Sequence, residues 1–261
     1  GDVRPLPFLC QISLAEVAEF DLQGALPKSG LLLFFYDASL DMQIDLHGAS
    51  PFSKDDFRAW RVVYISGCSQ LQRATEARGL PLKLLFAPNS LSFRIEWMLP
   101  PHNSPLLPEL PDFSRYLTLL EAVSRGQIVR GPSNGALHRL LGYAQPIQGD
   151  VGRHLSFVLR QSSELEARSE RGVLSTDAGN TARDHKGDGE EKADPSEQRF
   201  SGAPIQETEI DPKEWCLLLQ LDSDDAAGMQ WVDFGNLYFC LRQRDLEARR
   251  FDEVRGVMQY G

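Results

Sequence analysis

Trp215-Cys216-Leu217-Leu218-Leu219-Gln220-Leu221, then Asp222-Ser223-Asp224-Asp225, and then Gly235-Asn236-Leu237-Tyr238-Phe239-Cys240-Leu241 form the stretch that decides the fold. Two apolar runs of strand length, separated by a polar acidic turn, predict two buried strands. Toward the N-terminus, Phe8 to Ile12, Gly30 to Tyr36 and Arg61 to Ile65 read as further strands. Leu91-Ser92-Phe93-Arg94-Ile95-Glu96-Trp97 alternates apolar and polar with period two, so a half-buried strand would put Leu91, Phe93, Ile95 and Trp97 on one face. Ser13-Leu14-Ala15-Glu16 has the form of a capping box and predicts a short helix to about Phe20. A proline-rich extended connector from Leu99 to Pro111 leads to Asp112, a good N-cap, and to a packed amphipathic helix carrying Phe113, Tyr116, Leu117, Leu120 and Val123, with Gly126 at its end. At the other end of the chain Asp245 is expected to cap a last helix whose inner face is Leu246, Phe251, Val254 and Met258. Its arginines, Arg242, Arg244, Arg249, Arg250 and Arg255, alternate with acids and read as a solvated face.

The charge balance narrows the function classes. The 261 residues include 27 Lys and Arg against 37 Asp and Glu, a net charge of −10. Binding to nucleic acid or to an anionic membrane surface needs a basic footprint, so neither is expected. No apolar run approaches the roughly 20 residues that span a bilayer, which points to a soluble protein. Between Ser163 and Asp211, 13 acidic and 6 basic residues carry most of the negative charge, with Phe200 the lone aromatic. Such a segment buries too little apolar surface to offset its ordering entropy, so 168–204 is predicted to be a disordered acidic surface loop inserted in a single domain covering 1–261. Cys10, Cys68, Cys216 and Cys240 are widely spaced, without the close pairs of a zinc site, and read as reduced core thiols of a cytoplasmic protein. The first residues, Gly1 to Pro7, show neither the charged nor the apolar region of a signal peptide.

Phe8-Leu9-Cys10-Gln11-Ile12 echoes Leu217-Leu218-Leu219-Gln220-Leu221, and each is followed by a glycine that opens an apolar strand, Gly30 and Gly235. Two related copies within one domain would explain the echo. Together with Gly30-Leu31-Leu32-Leu33-Phe34-Phe35-Tyr36-Asp37, His138-Arg139-Leu140-Leu141-Gly142, Ile147-Gln148-Gly149-Asp150, Gln220-Leu221-Asp222-Ser223-Asp224 and Trp231-Val232-Asp233-Phe234-Gly235, these blocks resemble the bacterial YwqG-like family in order and spacing. The resemblance implies an α+β domain with mixed or antiparallel sheets, flanking helices and a repeated substructure, in a cytoplasmic bacterial protein. It brings no established catalytic residues. The glycine- and proline-rich segment that usually precedes the first strand of that family is absent from this chain.

Several residues could carry chemistry. Asp222, Asp224, Asp225 and Asp233 crowd the turn between the two strands, and carboxylates at alternate positions are how proteins hold hard cations. Ala226 and Ala227 stand where a calcium loop would need a ligand and a glycine, which leaves an acidic turn capped by its own backbone as the competing reading. His138 with a nearby carboxylate, Asp150 or the acidic turn, could act as a general base, yet no nucleophile elbow accompanies it. Gln148 and Gln220 lie in apolar sequence and need partners for their amides, while Trp231 and Trp215 bracket the acidic turn. The tentative ligand-binding set is therefore His138, Gln148, Asp150, Asp222, Asp224, Trp231 and Asp233, with no catalytic residue assigned. The expectation is a non-catalytic, protein-interaction role of accessory or immunity type, its partner another protein and its cofactors none. The alternative is a metal-assisted hydrolase or small-ligand binder that uses the Asp222–Asp233 turn with His138.

Overall fold

The computed structural model describes residues 5–37, 59–67, 71, 80–81, 84–130, 136–170, 210–232 and 234–260. Two antiparallel sheets form its centre. The first orders β1 (Phe8–Ser13), β2 (Leu31–Tyr36) and β3 (Trp60–Ile65) side by side. The second orders β4 (Arg139–Leu140), β5 (Trp215–Asp222), β6 (Asn236–Arg242) and β7 (Arg255–Gln259). Among the described residues four helices accompany them: α1 (Leu14–Val17), α2 (Phe113–Arg130), α3 (Val151–Glu170) and α4 (Gln243–Glu247). The chain is thus α+β with antiparallel sheets. Both sheets contain a meander of three sequential strands, but the one-turn helix follows the first strand of one meander, as α1 follows β1, and the second strand of the other, as α4 follows β6.

The register explains how the layers stack. β2 buries Leu32, Phe34 and Tyr36 at alternate positions, which is what a strand with one covered face does. β5 and β6 are instead buried at nearly every position, so both their faces must be covered. Residues directly opposite in an antiparallel pair share a face. Phe239, opposite Leu219 and Gly256, faces the first sheet, where its ring meets Phe34 edge-on at 5.1 Å. Trp215, opposite Arg242, lies on the other face and donates its indole N–H to Ser156 Oγ of α3 at 3.0 Å. Gly256 is small for a reason: a Cβ there would lie 3.0 Å from the Trp60 ring, whose own N–H reaches the Val254 carbonyl at 3.1 Å.

Several expectations need correction. Ser13 makes no side-chain capping bond, and α1 stops after one turn. The carboxylate of Asp21 accepts the N–H groups of Ala25 and Leu26 and so shapes the following loop. The 91–97 segment is not a strand: among the described residues no strand edge pairs with it, Leu91 and Ile95 are exposed, and Trp97 is 86% exposed. Alternation supplies a face but no partner. Asp112 does cap α2, accepting the Arg115 N–H at 2.9 Å, but the helix runs past Gly126 and leaves Phe113, Leu117 and Leu119 on the surface. The 99–111 connector folds into turns, with Ser104 N–H on Pro101 O and Leu107 N–H on Ser104 O.

The predicted C-terminal helix ends after α4. Arg249 takes a positive φ of 57°, the Arg250 N–H closes back on the Asp245 carbonyl, and the chain returns as β7. Leu246, Phe251, Val254 and Met258 are all buried as expected, but the open edge of β6 claims the last of them as strand. The arginines pair differently from the helical expectation, with Arg250 on Asp245 and Arg255 on Glu253. Helix α3 was not foreseen and carries 168–170 at its end, so the first residues of the predicted acidic loop are helical. The remainder of that loop lies outside the described residues, as does Cys68. Cys10, Cys216 and Cys240 are free thiols, and burial pushes Cys10 up to about 12 and Cys216 up to about 11, which makes them poor nucleophiles.

Candidate functional site

The polar residues of β4, β5, β6 and β7 on the α3 side of the sheet form two cross-strand rows. Arg139, Gln220 and Tyr238 stand in register, as do Asp222, Asn236 and Gln259. These positions would be costly to bury unless each polar atom had a partner, and the 141–149 segment supplies most of them. Gln220 Oε1 accepts the Gln145 N–H at 2.9 Å and Tyr238 donates to the Gln145 carbonyl at 2.6 Å. Arg139 donates to Gln145 Oε1 at 2.8 Å. Gln259 accepts from Ile147 and Gln148 and donates to Gly149 O at 3.0 Å. Burial pushes the Tyr238 hydroxyl well above its ordinary range, so it stays a donor. Leu141 and Gly142 both adopt positive φ to start this segment, and Asp150 closes it by capping α3, accepting the Arg153 N–H at 2.8 Å.

His138 lies at the rim of these rows, partly exposed, beside the acidic turn. Its Nδ1 accepts the Asp222 backbone N–H at 3.2 Å, and a backbone N–H can only donate, so the ring proton sits on Nε2. Nε2 lies 3.1 Å from Asp224 Oδ2 and donates to it. The other oxygen of Asp224 accepts the Ala226 N–H at 2.9 Å, and its backbone exchanges two bonds with Met229, pinning the turn. Burial alone would raise the Asp224 pKa, but the hydrogen bonds from His138 and Ala226 outweigh it and hold the carboxyl below its ordinary value. Asp222 accepts the Leu137 N–H at 2.8 Å and the Gln220 amide at 2.7 Å, and the Asn236 amide, oriented by the same network, adds a third donor at 3.2 Å.

The expected site residues therefore separate. His138, Asp222 and Asp224 come together. Asp150 does not join them, because it caps α3. Gln148 is exposed and contributes its backbone N–H to Gln259; the amide that crosslinks the interior is Gln259, which the sequence reading missed. Trp231 is 1% exposed between Tyr36 and Phe86, so it belongs to the core and not to a cleft. Trp215 stands at the opposite end of β5 from the acidic turn and does not bracket it. Asp233 lies outside the described residues. Gln145, Tyr238, Asn236 and Arg139 were also missed, although polar residues at alternate positions in otherwise apolar strands were a readable signal.

Chemically, the arrangement commits both nitrogens of His138, so neither is free to take a proton from a substrate. Ser223 donates to Gly235 O and accepts the Trp231 N–H, which leaves its hydroxyl structural. Among the described residues no three His, Cys, Asp or Glu side chains are placed to hold a metal. Asp224 couples the stability of the turn to pH. Since its folded pKa is depressed below 3.8, the stability it contributes is complete above that pH and is lost as acidification passes through the lower, folded value. Asp224→Asn should destabilise the protein by about 1 kcal/mol at pH 7 and reduce the loss of stability below pH ~4 in acid titrations.

Residues 1–259 match a family model described as a domain of unknown function, DUF1963. No curated protein matches the chain.

Proposed function

The chain belongs to the DUF1963 family, and from that premise we propose that it is a non-catalytic protein-binding protein, within the family a YwqG-like member acting in the bacterial cytoplasm. The single observation that carries this reading is the apolar surface that the core leaves uncovered. Trp97 at 86% exposure is the most exposed of the described large apolar side chains, and Leu91, Ile95, Phe113, Leu117 and Leu119 are exposed as well. Large exposed apolar side chains of this kind mark interaction surfaces, and Trp is the residue type most often found to anchor one. The blocks surrounding His138 and the acidic turn support the YwqG-like assignment. A net charge of −10 favours a basic partner through complementary potential.

The metal-assisted or small-ligand alternative rests on the His138–Asp224 pair, whose saturated hydrogen bonding weighs against it. The test compares stoichiometric capture of a partner from bacterial lysate by the native chain and by two variants. Trp97→Glu should weaken capture at least about tenfold, as loss of an interface anchor does. Asp224→Asn should leave it unchanged. Retained capture by Trp97→Glu, or a turnover abolished by Asp224→Asn, would overturn the reading. No described helix is long and apolar enough to cross a membrane.

A further inference from the structure

At the end of the second sheet opposite His138, three strand ends converge. Trp215 opens β5, Arg242 closes β6 and Arg255 opens β7, while α4 and the turn after it add Arg244, Asp245 and Arg250. Together with Glu253 and Leu159 of α3 these residues line an open cleft of about 210 Å³. Four guanidinium groups face two carboxylates, an excess of positive charge in a chain of net charge −10. Asp245 is taken by Arg250, and Glu253 by Arg255 at 3.4 Å. Among the described residues neither Arg242 nor Arg244 has an ion-pair partner.

We propose that this cleft is a phosphate-binding site, with Arg242 and Arg255 as its fixed walls and Arg244 at its mouth. Two of the guanidinium groups are held in place before any ligand arrives. Arg242 lies over the Trp215 ring, 5.6 Å from its centroid, and that ring is itself anchored on Ser156. Arg255 donates to the carbonyls of Glu253 and Val254 at 3.0 and 3.2 Å. A planar fork held as that of Arg242 is matches a phosphate oxyanion through paired N–H···O bonds and loses little freedom on binding, while Arg255, whose Nη1 hydrogens are taken by the two carbonyls, contributes its charge and one Nη2 N–H. Burial disfavours the charge on Arg255, Glu253 restores part of it, and the neighbouring Arg242 opposes it, so an anion between the two would relieve their repulsion. The solvated arginine face expected from the sequence has become a cleft because the chain turns back at Arg249 and Arg250 instead of continuing as a helix.

The proposal does not depend on the protein-binding reading, since it uses the opposite end of the sheet from His138 and none of the exposed apolar residues. The test is calorimetric titration of the full chain with inorganic phosphate, and separately with phenyl phosphate, at fixed sodium chloride. One saturable site per chain is expected. Arg242→Gln should weaken it at least about tenfold and Arg244→Gln severalfold, with the melting temperature of the exposed Arg244 variant unchanged. Arg115→Gln on α2 should bind as the native chain does. Binding of inorganic phosphate alone would identify the free ion as the ligand, and equal or tighter binding of phenyl phosphate a phosphomonoester; either supports the site. No saturable binding of either probe, or binding that survives both Arg242→Gln and Arg244→Gln, would overturn it.

Discussion

Replacing Gly235 with alanine should cost about 3 kcal/mol or more and lower the melting temperature by roughly 6–12 °C. The reason is geometric. A Cβ at this position would sit 2.5 Å from the Trp231 carbonyl oxygen and 2.6 Å from that of Gln259, and both are backbone atoms that cannot rotate aside. Gly235 is the point where the acidic turn rejoins the sheet: its N–H reaches Trp231 O at 2.8 Å, and its carbonyl accepts both the backbone N–H and the hydroxyl of Ser223. Relief of the clash would move Trp231 away from Tyr36 and Phe86, or prise β7 from β6, and either opens the core. Gly228→Ala supplies the comparison. It has a positive φ of 70° but open space around the missing Cβ, so it should cost only the backbone strain of about 1 kcal/mol. Thermal melts of the two variants side by side check the argument, and equal melting temperatures would refute it.

How much of this was legible in the sequence depends on which physical signal each element carried. β1, β2, β5 and β6 were readable because apolar runs of strand length between turn residues leave few other solutions. β7 was not, since Leu246, Phe251, Val254 and Met258 have near-helical spacing, and only the edge offered by β6, a tertiary fact, converts Arg255–Gln259 into a strand. The 91–97 segment failed in the opposite direction, with strand periodicity but, among the described residues, no edge to join. In the candidate site, His138, Asp222 and Asp224 were found because charged residues next to buried strands are conspicuous. Gln259 and Tyr238 were not, although a polar side chain in an apolar run is the signal that picked out Gln220; what the sequence does not display is the 141–149 segment lying over them and supplying their partners.

That covering segment is held down by one side chain of β7. Gln259 is fully buried, and its one amide satisfies the N–H groups of Ile147 and Gln148 at 2.9 and 3.1 Å and the carbonyl of Gly149 at 3.0 Å. Gln259→Leu keeps most of the volume and removes all three bonds. An unsatisfied buried backbone group costs about 1–3 kcal/mol, and the outer side of the segment is wet enough for water to recover part of that. The expected loss is about 2–4 kcal/mol, read by thermal or urea denaturation. Gln259→Glu separates hydrogen bonding from packing. As a carboxylate it still accepts from Ile147 and Gln148 but sets an oxygen against Gly149 O, so it should be destabilised at neutral pH and recover as acidification protonates it and restores the donor. The amides of Ile147 and Gln148 should exchange faster in the leucine variant than in the native chain, because their opening no longer breaks a buried bond. If both variants melted alike at every pH, the amide would be acting only as a space-filling group. The recovery in acid is the outcome that ties the placement of 141–149, and with it the Asp150 cap of α3, to one hydrogen-bonding side chain.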